Sequence, residues 1–445
     1  MNEDLLLSWY GDDLTGSTDA MESLAMHGVP AVLFVRRPTD AQRARFPDLR
    51  AIGLAGTSRS ESPAWMDAHL PDAFGWLRSL GAGLCHYKVC STFDSAPHVG
   101  SIGRALDIGA EVFGQTVTPV VVGVPQMKRF TVFGNHFAAF DGVVHRLDRH
   151  PVMSRHPVTP MDDADLARHL GKQTAKRITL ADYVLLGTAG IDAAVDRLMD
   201  GKDDALLFDV PDGAIQKVVG RQLWRHRQPG GRFVVGSSGV EYALIQQWIA
   251  EGRIPGTAEF APPGAVDRIA VVSGSCSEVT ARQIRHAEEN GFAAIALDAR
   301  RLASPAFGAE TFDAALAEGI AALKRGQSVV IYTALGPGSN LVDATEADEA
   351  FRHRIGQQLG ALLKRMIERE GLTRAVIAGG DTSSHALQQL GVFALTTRLP
   401  LPETPGSPLC TAHSETPAFD GLQIALKGGQ IGSAGYFVNI RDGRR

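Results

Sequence analysis

Cysteine is scarce: 445 residues hold four, Cys85, Cys90, Cys276 and Cys410, with no metal-finger spacing and no dense disulfide framework. Such usage suits a reducing compartment. No run approaches the roughly 18 apolar residues of a membrane span, and MNEDLLLSWYGDD lacks the basic opening of an export signal; a cytoplasmic protein is expected. Excess positive charge is also missing. With a formal charge of -5 and a pI near 6.3, neither nucleic acid nor an anionic membrane is an expected partner. An anionic substrate must then be met by a local cluster of cations. There is no Walker A sequence and no GxGxxG opening the first helix, which excludes the P-loop and dinucleotide fingerprints. His136, His145, His150 and His156 lack metal-ligand spacing on any one helix face, so no zinc site is expected.

What is present describes a globular chain, 44% hydrophobic and 21% charged, long enough for two domains. The Pro- and Gly-rich stretch Gly252 to Val266 breaks the alternation of strands and helices. It predicts domains over 1–252 and 267–445, joined by a linker near 253–266.

The organising stretch is LLLSWYGDDLTG, Leu5 to Gly16. An apolar run meets Asp12 and Asp13, then a helical pattern runs from about Thr15 to His27 and stops at Gly28, and Ala31 to Val35 follows as a strand. In a parallel sheet this βαβ unit puts both carboxylates beyond a strand's carboxyl end, where such folds bind ligands. Either could instead simply cap the helix. A second strand ends at Thr57-Ser58-Arg59, where the arginine is either an anion contact or a surface residue. Leu84 to Cys90 contains Lys88, which either snorkels outward or faces something negative near the sheet's end. Ser91, Thr92, Asp94 and Ser95 then crowd one loop, and Gly100-Ser101-Ile102-Gly103 opens a helix from Arg104 to Phe113 with glycines that would let an oxyanion approach. Strands are also predicted at Thr118 to Val124, Tyr183 to Gly187, Ala205 to Val210 and Arg232 to Ser238, with a hairpin at Gly134-Asn135.

The second half restarts the alternation. Strands at Arg268 to Val272, Arg374 to Ala378 and Leu422 to Leu426 end in Ser273-Gly-Ser-Cys-Ser277, Gly379-Gly380-Asp381-Thr382 and Lys427-Gly428-Gly429-Gln430-Ile431-Gly432. Long and short helices are expected over Ala347 to Glu370 and Ser383 to Leu390. Three Gly/Ser/Thr loops with few side chains in the way suggest a phosphate-bearing ligand held by backbone amides, although ordinary βα turns also favour glycine.

Taken in order, GDDLTG, YKVCSTFDS, RHPVTPMDDADL, SGSCS, GGDT and ALKGGQIG make the chain resemble the four-carbon acid sugar kinase family from end to end. The resemblance implies two α/β domains with mainly parallel sheets, an N-terminal substrate domain and a C-terminal ATP domain, with catalysis at the cleft between them. It implies ATP-dependent phosphorylation of a terminal hydroxyl on a short sugar acid, with Mg²⁺ shielding the phosphates. Asp12 and Asp13 would be catalytic, one of them the base. Arg59, Lys88, Ser91 and Thr92, with Asp94 in the same loop, would line the acid-sugar side. Ser273, Ser275, Ser277, Gly379, Gly380, Asp381, Thr382, Lys427, Gly428, Gly429 and Gly432 would hold the nucleotide. The form Ser-Thr-Phe-Asp-Ser is similar to the branch acting on 3-oxo acids. Ser101 stands where that branch has asparagine, and Lys128-Arg129-Phe130-Thr131 replaces Asn-Gly-Arg-Thr. A shorter side chain at 101 leaves room for a branched acid such as 3-oxo-isoapionate; 3-oxo-tetronate is the alternative, and threonate or erythronate a more distant one. A dehydrogenase would need the dinucleotide fingerprint, and an exported binding protein would need a signal and have no use for a nucleotide site. Homodimers are the commonest soluble assembly, and a homodimer is the expected one here.

Overall fold

The computed structural model describes residues 5–201, 205–336 and 349–445, the side chains of Glu349 and Asp381 excepted. The chain forms two compact units: one runs to Val32 and resumes over Arg43–Ala258, the other comprises Leu33–Gln42 with Glu259–Arg445. Both are α/β, with mainly parallel sheets.

Among the described residues, eleven strands arise before residue 259. They are β1 (Leu7–Gly11), β2 (Ala31–Phe34), β3 (Ala51–Ala55), β4 (Leu84–Lys88), β5 (Thr118–Val121), β6 (Arg129–Val132), β7 (Asn135–Phe140), β8 (Val143–Arg146), β9 (Ile178–Ala181), β10 (Ala205–Phe208) and β11 (Arg232–Gly236). The first unit's main sheet runs β3-β1-β4-β11-β5-β10-β9, all parallel. Its central strands are buried on both faces, β1, β4 and β11 throughout, and apolar apart from Ser8, His86, Lys88 and Arg232. Trp9, Leu24, Phe74, Tyr87, Phe233 and Trp248 are among the side chains removed from water, each large one contributing about 1.5–3 kcal/mol of transfer free energy. A separate antiparallel sheet, β6-β7-β8, carries its own small cluster of Ala138, Leu147, Met153, Met161 and Ala164.

The second unit adds β12 (Ala270–Ser273), β13 (Ala293–Ala296), β14 (Val329–Tyr332), β15 (Arg374–Ala378), β16 (Val392–Leu399), β17 (Leu409–Ser414) and β18 (Gln423–Lys427). Their order is β13-β14-β12-β15-β18-β17-β16, parallel through β18 and antiparallel beyond it. Leu33 and Phe34 of β2 pair antiparallel with Leu395 and Ala394 of β16.

Register decides where the loops emerge. In the first unit Ala55, Gly11, Lys88 and Gly236 stand side by side at the carboxyl ends of four neighbouring strands. In the second, Ser273, Ala378 and Lys427 do the same across three. Each set of loops therefore leaves one sheet edge together.

Several sequence expectations need correction. Tyr183 to Gly187 is not a strand: Tyr183–Leu186 is a helical turn whose N-cap, Asp182, accepts from Leu185 N at 2.8 Å, and the strand lies just before it, at β9. A four-residue apolar run is ambiguous by periodicity, and the capping aspartate decides it. The helix after β15 begins at Gly380, three residues before the expected Ser383, which makes Gly380, Asp381 and Thr382 its first turn. The helix predicted from Ala347 is Glu349–Glu370, its first two expected residues lying outside the described ones. The hairpin expected at Gly134-Asn135 is present between β6 and β7 with its turn one residue earlier: Phe133 and Gly134 stand at positive φ, 48° and 72°, as a tight two-residue turn requires, and Asn135 already pairs with Val132. No strand was expected at β8, β16 or β17.

Candidate active site

In the first unit, Gly11 ends β1 and the chain turns at once into the helix Leu14–Met26. Asp13 is its N-cap: Oδ1 accepts from Gly16 N at 2.5 Å. The capping alternative is thus realised by one aspartate, and the same residue also holds Arg59, whose Nη1 donates to Asp13 Oδ2 at 2.6 Å. Asp12 faces the same guanidinium in a two-pronged pair, Nη2 to Oδ1 at 2.8 Å and Nε to Oδ2 at 3.0 Å. One arginine, arriving from the turn after β3, therefore fixes both carboxylates, spending three of its five N–H donors on them. Asp12 is buried, with a side chain 5% exposed, whereas Asp13 is 28% exposed. Burial pushes the Asp12 carboxyl up to about 6; Arg59 opposes this and Asp13 reinforces it.

Lys88 does not snorkel. Its side chain is 2% exposed, its Nζ lies 3.1 Å from Asp19 Oδ2 on the helix that Asp13 caps, and it donates to Val89 O. Burial by itself would lower its pKa, but Asp19, Glu241 and Asp12 together raise it above the ordinary lysine value.

The loop after β4 is held tightly. Phe93 is fully buried at φ 57°, a left-handed conformation that a bulky side chain adopts only under local constraint. Thr92 Oγ1 donates to Asp94 Oδ1 and Thr159 Oγ1 donates to Asp94 Oδ2. Burial alone would raise the Asp94 pKa, yet Arg59 and these hydroxyls hold it below the usual carboxylate range. Ser91 O accepts from His136 Nε2 at 2.7 Å, and burial drives His136 down to about 4, leaving a neutral imidazole at neutral pH. Ser95 Oγ meets His169 Nε2 and Gln173 Nε2, both at 2.8 Å.

The glycines at 100–103 do not open an oxyanion site. Gly103 N donates to Gln173 Oε1, Ser101 caps the helix Ile102–Phe113 through Arg104 N, and Ser101 is buried. His136, Thr159, His169 and Gln173 carry no local signal, since each reaches the loop from a distant segment, whereas Asp19 lies on the helix that Asp13 caps and meets Lys88 because β4 pairs with β1.

In the second unit the three loops meet as their register requires. A Cβ on Gly274 would lie 2.3 Å from Thr382 Oγ1, and one on Gly429 would lie 2.9 Å from Ser275 Oγ. Gly379, at φ 119°, is open only to glycine and precedes the helix Gly380–Gln389, whose first turn presents backbone N–H groups. Ser277 caps the helix Glu278–Glu289 through Thr280 N and also donates to Gly429 O. Ser275 N and Ser277 N reach back to Ser273 Oγ and Ser275 Oγ at 3.4 Å. The Asp381 side chain lies outside the described residues. Lys427 is fully buried, and its Nζ donates within its own loop to Gly428 O at 2.6 Å, Ile431 O at 3.2 Å and Gly429 O at 3.3 Å, and to Thr280 Oγ1 at 3.2 Å. Burial lowers its pKa to about 7. Thr280 is the member of this cluster that sequence reasoning missed; its place three residues after the capping serine was the available signal.

Among the described residues no helix is long and apolar enough to cross a membrane. Residues 7–244 match the family described as Sugar-binding N-terminal domain, and residues 270–437 match Nucleotide-binding C-terminal domain. The chain is 47% identical to a 3-oxo-isoapionate kinase from Paraburkholderia graminis over 99% of its own length and 95% of the relative's. It is 31% identical to a 3-oxo-tetronate kinase from Methylobacterium radiotolerans over 98% and 99%. A crystal structure from Salmonella typhimurium LT2 superposes with a TM-score of 0.76 at 26% identity, over 98% of both chains. These matches run the length of both units, and the chain belongs to the four-carbon acid sugar kinase family, a sugar-binding N-terminal domain followed by a nucleotide-binding C-terminal domain.

Proposed function

We propose that this chain is an ATP-dependent kinase that phosphorylates the terminal hydroxyl of 3-oxo-isoapionate, acting in the cytoplasm. The supporting observation for the chemistry is the Asp12–Arg59–Asp13 constellation: one carboxyl poised near neutrality beside another fixed at a helix N-terminus. Phosphoryl transfer asks mainly for positioning, charge neutralisation and an acceptor for the hydroxyl proton. Asp12, whose proton affinity lies in the useful range for a general base, takes that proton. Asp13, committed to Gly16 N and Arg59, orients the substrate. The two remaining Arg59 donors and the hydroxyls of Ser91 and Thr92 receive the acid's carboxylate and hydroxyls.

On the nucleotide side, the N–H groups of the Gly379 to Thr382 turn and of the Ser273 to Ser277 and Gly428 to Gly432 loops receive the phosphates. Mg²⁺ accompanies ATP and neutralises charge on its phosphates. The serine and threonine hydroxyls and backbone carbonyls around these loops are hard oxygen donors suited to it. The choice of substrate rests on the 47% identity to the 3-oxo-isoapionate kinase against 31% for the 3-oxo-tetronate enzyme.

The test is ADP release with Mg-ATP across 3-oxo-isoapionate, 3-oxo-tetronate, threonate and erythronate. Turnover highest on 3-oxo-isoapionate supports the reading. Preference for 3-oxo-tetronate moves the substrate and keeps the reaction, and silence on all four overturns the activity.

A further inference from the structure

A lysine at the carboxyl end of a strand, among residues that bind an acid, would ordinarily be given the substrate's carboxylate. The surroundings of Lys88 point elsewhere. It ends β4 in register with Gly11, and its carbonyl accepts from Asp12 N at 2.9 Å, so its backbone carries the catalytic loop from below. Its side chain runs inward. Nζ contacts Asp19 Oδ2 at 3.1 Å and Val89 O at 3.1 Å, and almost none of it meets solvent.

Gly16 marks how near this ammonium comes to the catalytic carboxyls. A Cβ built there would lie 2.7 Å from Asp13 Oδ1, 3.5 Å from Lys88 Nζ and 3.6 Å from Asp12 Oδ1. Lys88 Nζ and Asp12 Oδ1 are therefore both within 3.6 Å of one point, on the inner side of the loop, whereas Arg59 grips Asp12 through both of its oxygens. On the same face of β4, two residues earlier, His86 Nδ1 meets Glu241 Oε1 at 2.6 Å, and both are fully buried. A buried hydrogen-bonded pair thus lies further back along the same face, and Lys88 is the residue of β4 next to Asp12.

We propose that Lys88 is a positioning residue: its buried ammonium, tethered by Asp19, sits under the Asp12–Gly16 loop and favours the ionised Asp12 carboxylate without touching the sugar acid. The inference rests on Asp12 being the base in the kinase reading. The charged and titratable groups facing Asp12 are Arg59, Asp13, Lys88, Tyr10 and Tyr87, and those facing Lys88 are Asp19, Glu241, Asp12 and Cys90. Asp19 draws part of the ammonium's field away from Asp12. Removing the cation and removing its tether should therefore shift Asp12 in opposite directions.

The experiment follows the Asp12 carboxyl carbon by ¹³C NMR in ¹³C-aspartate-labelled full chain, assigned by its loss in Asp12→Asn, alongside pH profiles of kcat and sugar-acid KM. Lys88→Gln should raise the Asp12 midpoint and the acid limb of kcat by about one pH unit, the size expected for losing one nearby opposite charge. Sugar-acid KM should change less than about twofold, within roughly 0.4 kcal/mol. Asp19→Asn should move both midpoints down. A rise in sugar-acid KM with an unmoved Asp12 midpoint in Lys88→Gln would make Lys88 a substrate ligand and overturn the proposal. Where Lys88→Gln does not fold, an unmoved midpoint in Asp19→Asn overturns it. If the midpoints shift as stated but no sugar acid supports ADP release, the kinase reading fails and the placement of Lys88 stands.

Discussion

At the scale of single residues, the two aspartates of the opening loop are chemically unequal although adjacent. Asp13 is committed to the backbone at a helix start, and Asn at that position still caps. Asp12 is the buried one, and its raised pKa means it holds a proton below about 6 and is ionised above. As the proposed base it must be ionised, so kcat/KM for the sugar acid should be flat above pH 7 and fall about tenfold per unit as pH drops below 6. Asp12→Asn should cut kcat by roughly 10²–10⁴ with ATP affinity unchanged, and Asp13→Asn should cost much less; equal losses in steady-state assays would remove the distinction. Lys427 poses the complementary question in the second unit. An ammonium has three donors, and four oxygens of the protein already surround this one. In the proposed nucleotide site its part would be to shape the Gly428 to Gly432 loop rather than to touch phosphate. Lys427→Met leaves buried carbonyls unpaired at about 1–3 kcal/mol each, so ATP KM should rise at least about tenfold while sugar-acid KM stays put. Hydrogen exchange of residues 428–432 without nucleotide should quicken, an effect that a lysine touching only phosphate would not produce. Arg59 was legible as a cation near a strand end, but not its grip on Asp12 and Asp13, because that contact spans more than 45 residues and exists only where β3 lies beside β1.

Elements were legible where one physical rule acted alone. Arg374–Ala378 is a strand between a helix-stopping Gly371 and Gly379, and periodicity marks it to the residue. β16 was not legible, because Thr396, Thr397 and Arg398 interrupt its apolar run, and its place is set by antiparallel pairing with β17 rather than by its own pattern. Tyr183–Leu186 shows the same limit in reverse: four apolar residues read as strand until the Asp182 cap and the Asp209 carboxylate, which accepts from Tyr183 N, are in place. Ser101 shows how an element can absorb a residue first read as functional. The serine that suggested room for a branched acid is the N-cap of Ile102–Phe113. Ser101→Ala should therefore lower unfolding free energy by about 1 kcal/mol in a denaturant titration and leave every sugar-acid KM alone. A selective rise for one acid would return Ser101 to the list of specificity residues. Gly379 is the converse, a turn glycine that the element cannot replace. At φ 119° with Thr382 Oγ1 3.0 Å from where a Cβ would stand, Gly379→Ala should strain the turn by about 1–3 kcal/mol and weaken ATP binding in calorimetry.

At the scale of the whole molecule, the same device appears in each unit. Parallel strands brought into register release their loops at one edge, and a buried lysine braces the loops from within: Lys88 against Asp19 in the first unit, Lys427 against the carbonyls of its own loop in the second. A net charge of -5 leaves anionic substrates no general attraction, so local donors must supply it. In the proposed reading these are the remaining Arg59 hydrogens in the first unit and the N–H groups of a helix turn and two loops in the second. The division of labour makes separable footprints. Mg-ATP alone, at about 100 times its dissociation constant, should stabilise its binding unit by roughly 2.7 kcal/mol and slow hydrogen exchange across 273–277, 379–383 and 427–432, leaving 11–16 and 88–95 unchanged. The sugar acid alone should do the reverse. Protection of the Asp12–Gly16 loop by ATP with none at Gly379–Ser383 would transfer nucleotide binding to the first unit. The backbone amides of the second unit's loops would then need another ligand to explain three glycines, Gly274, Gly379 and Gly429, each standing where a methyl group would press on a neighbouring hydroxyl.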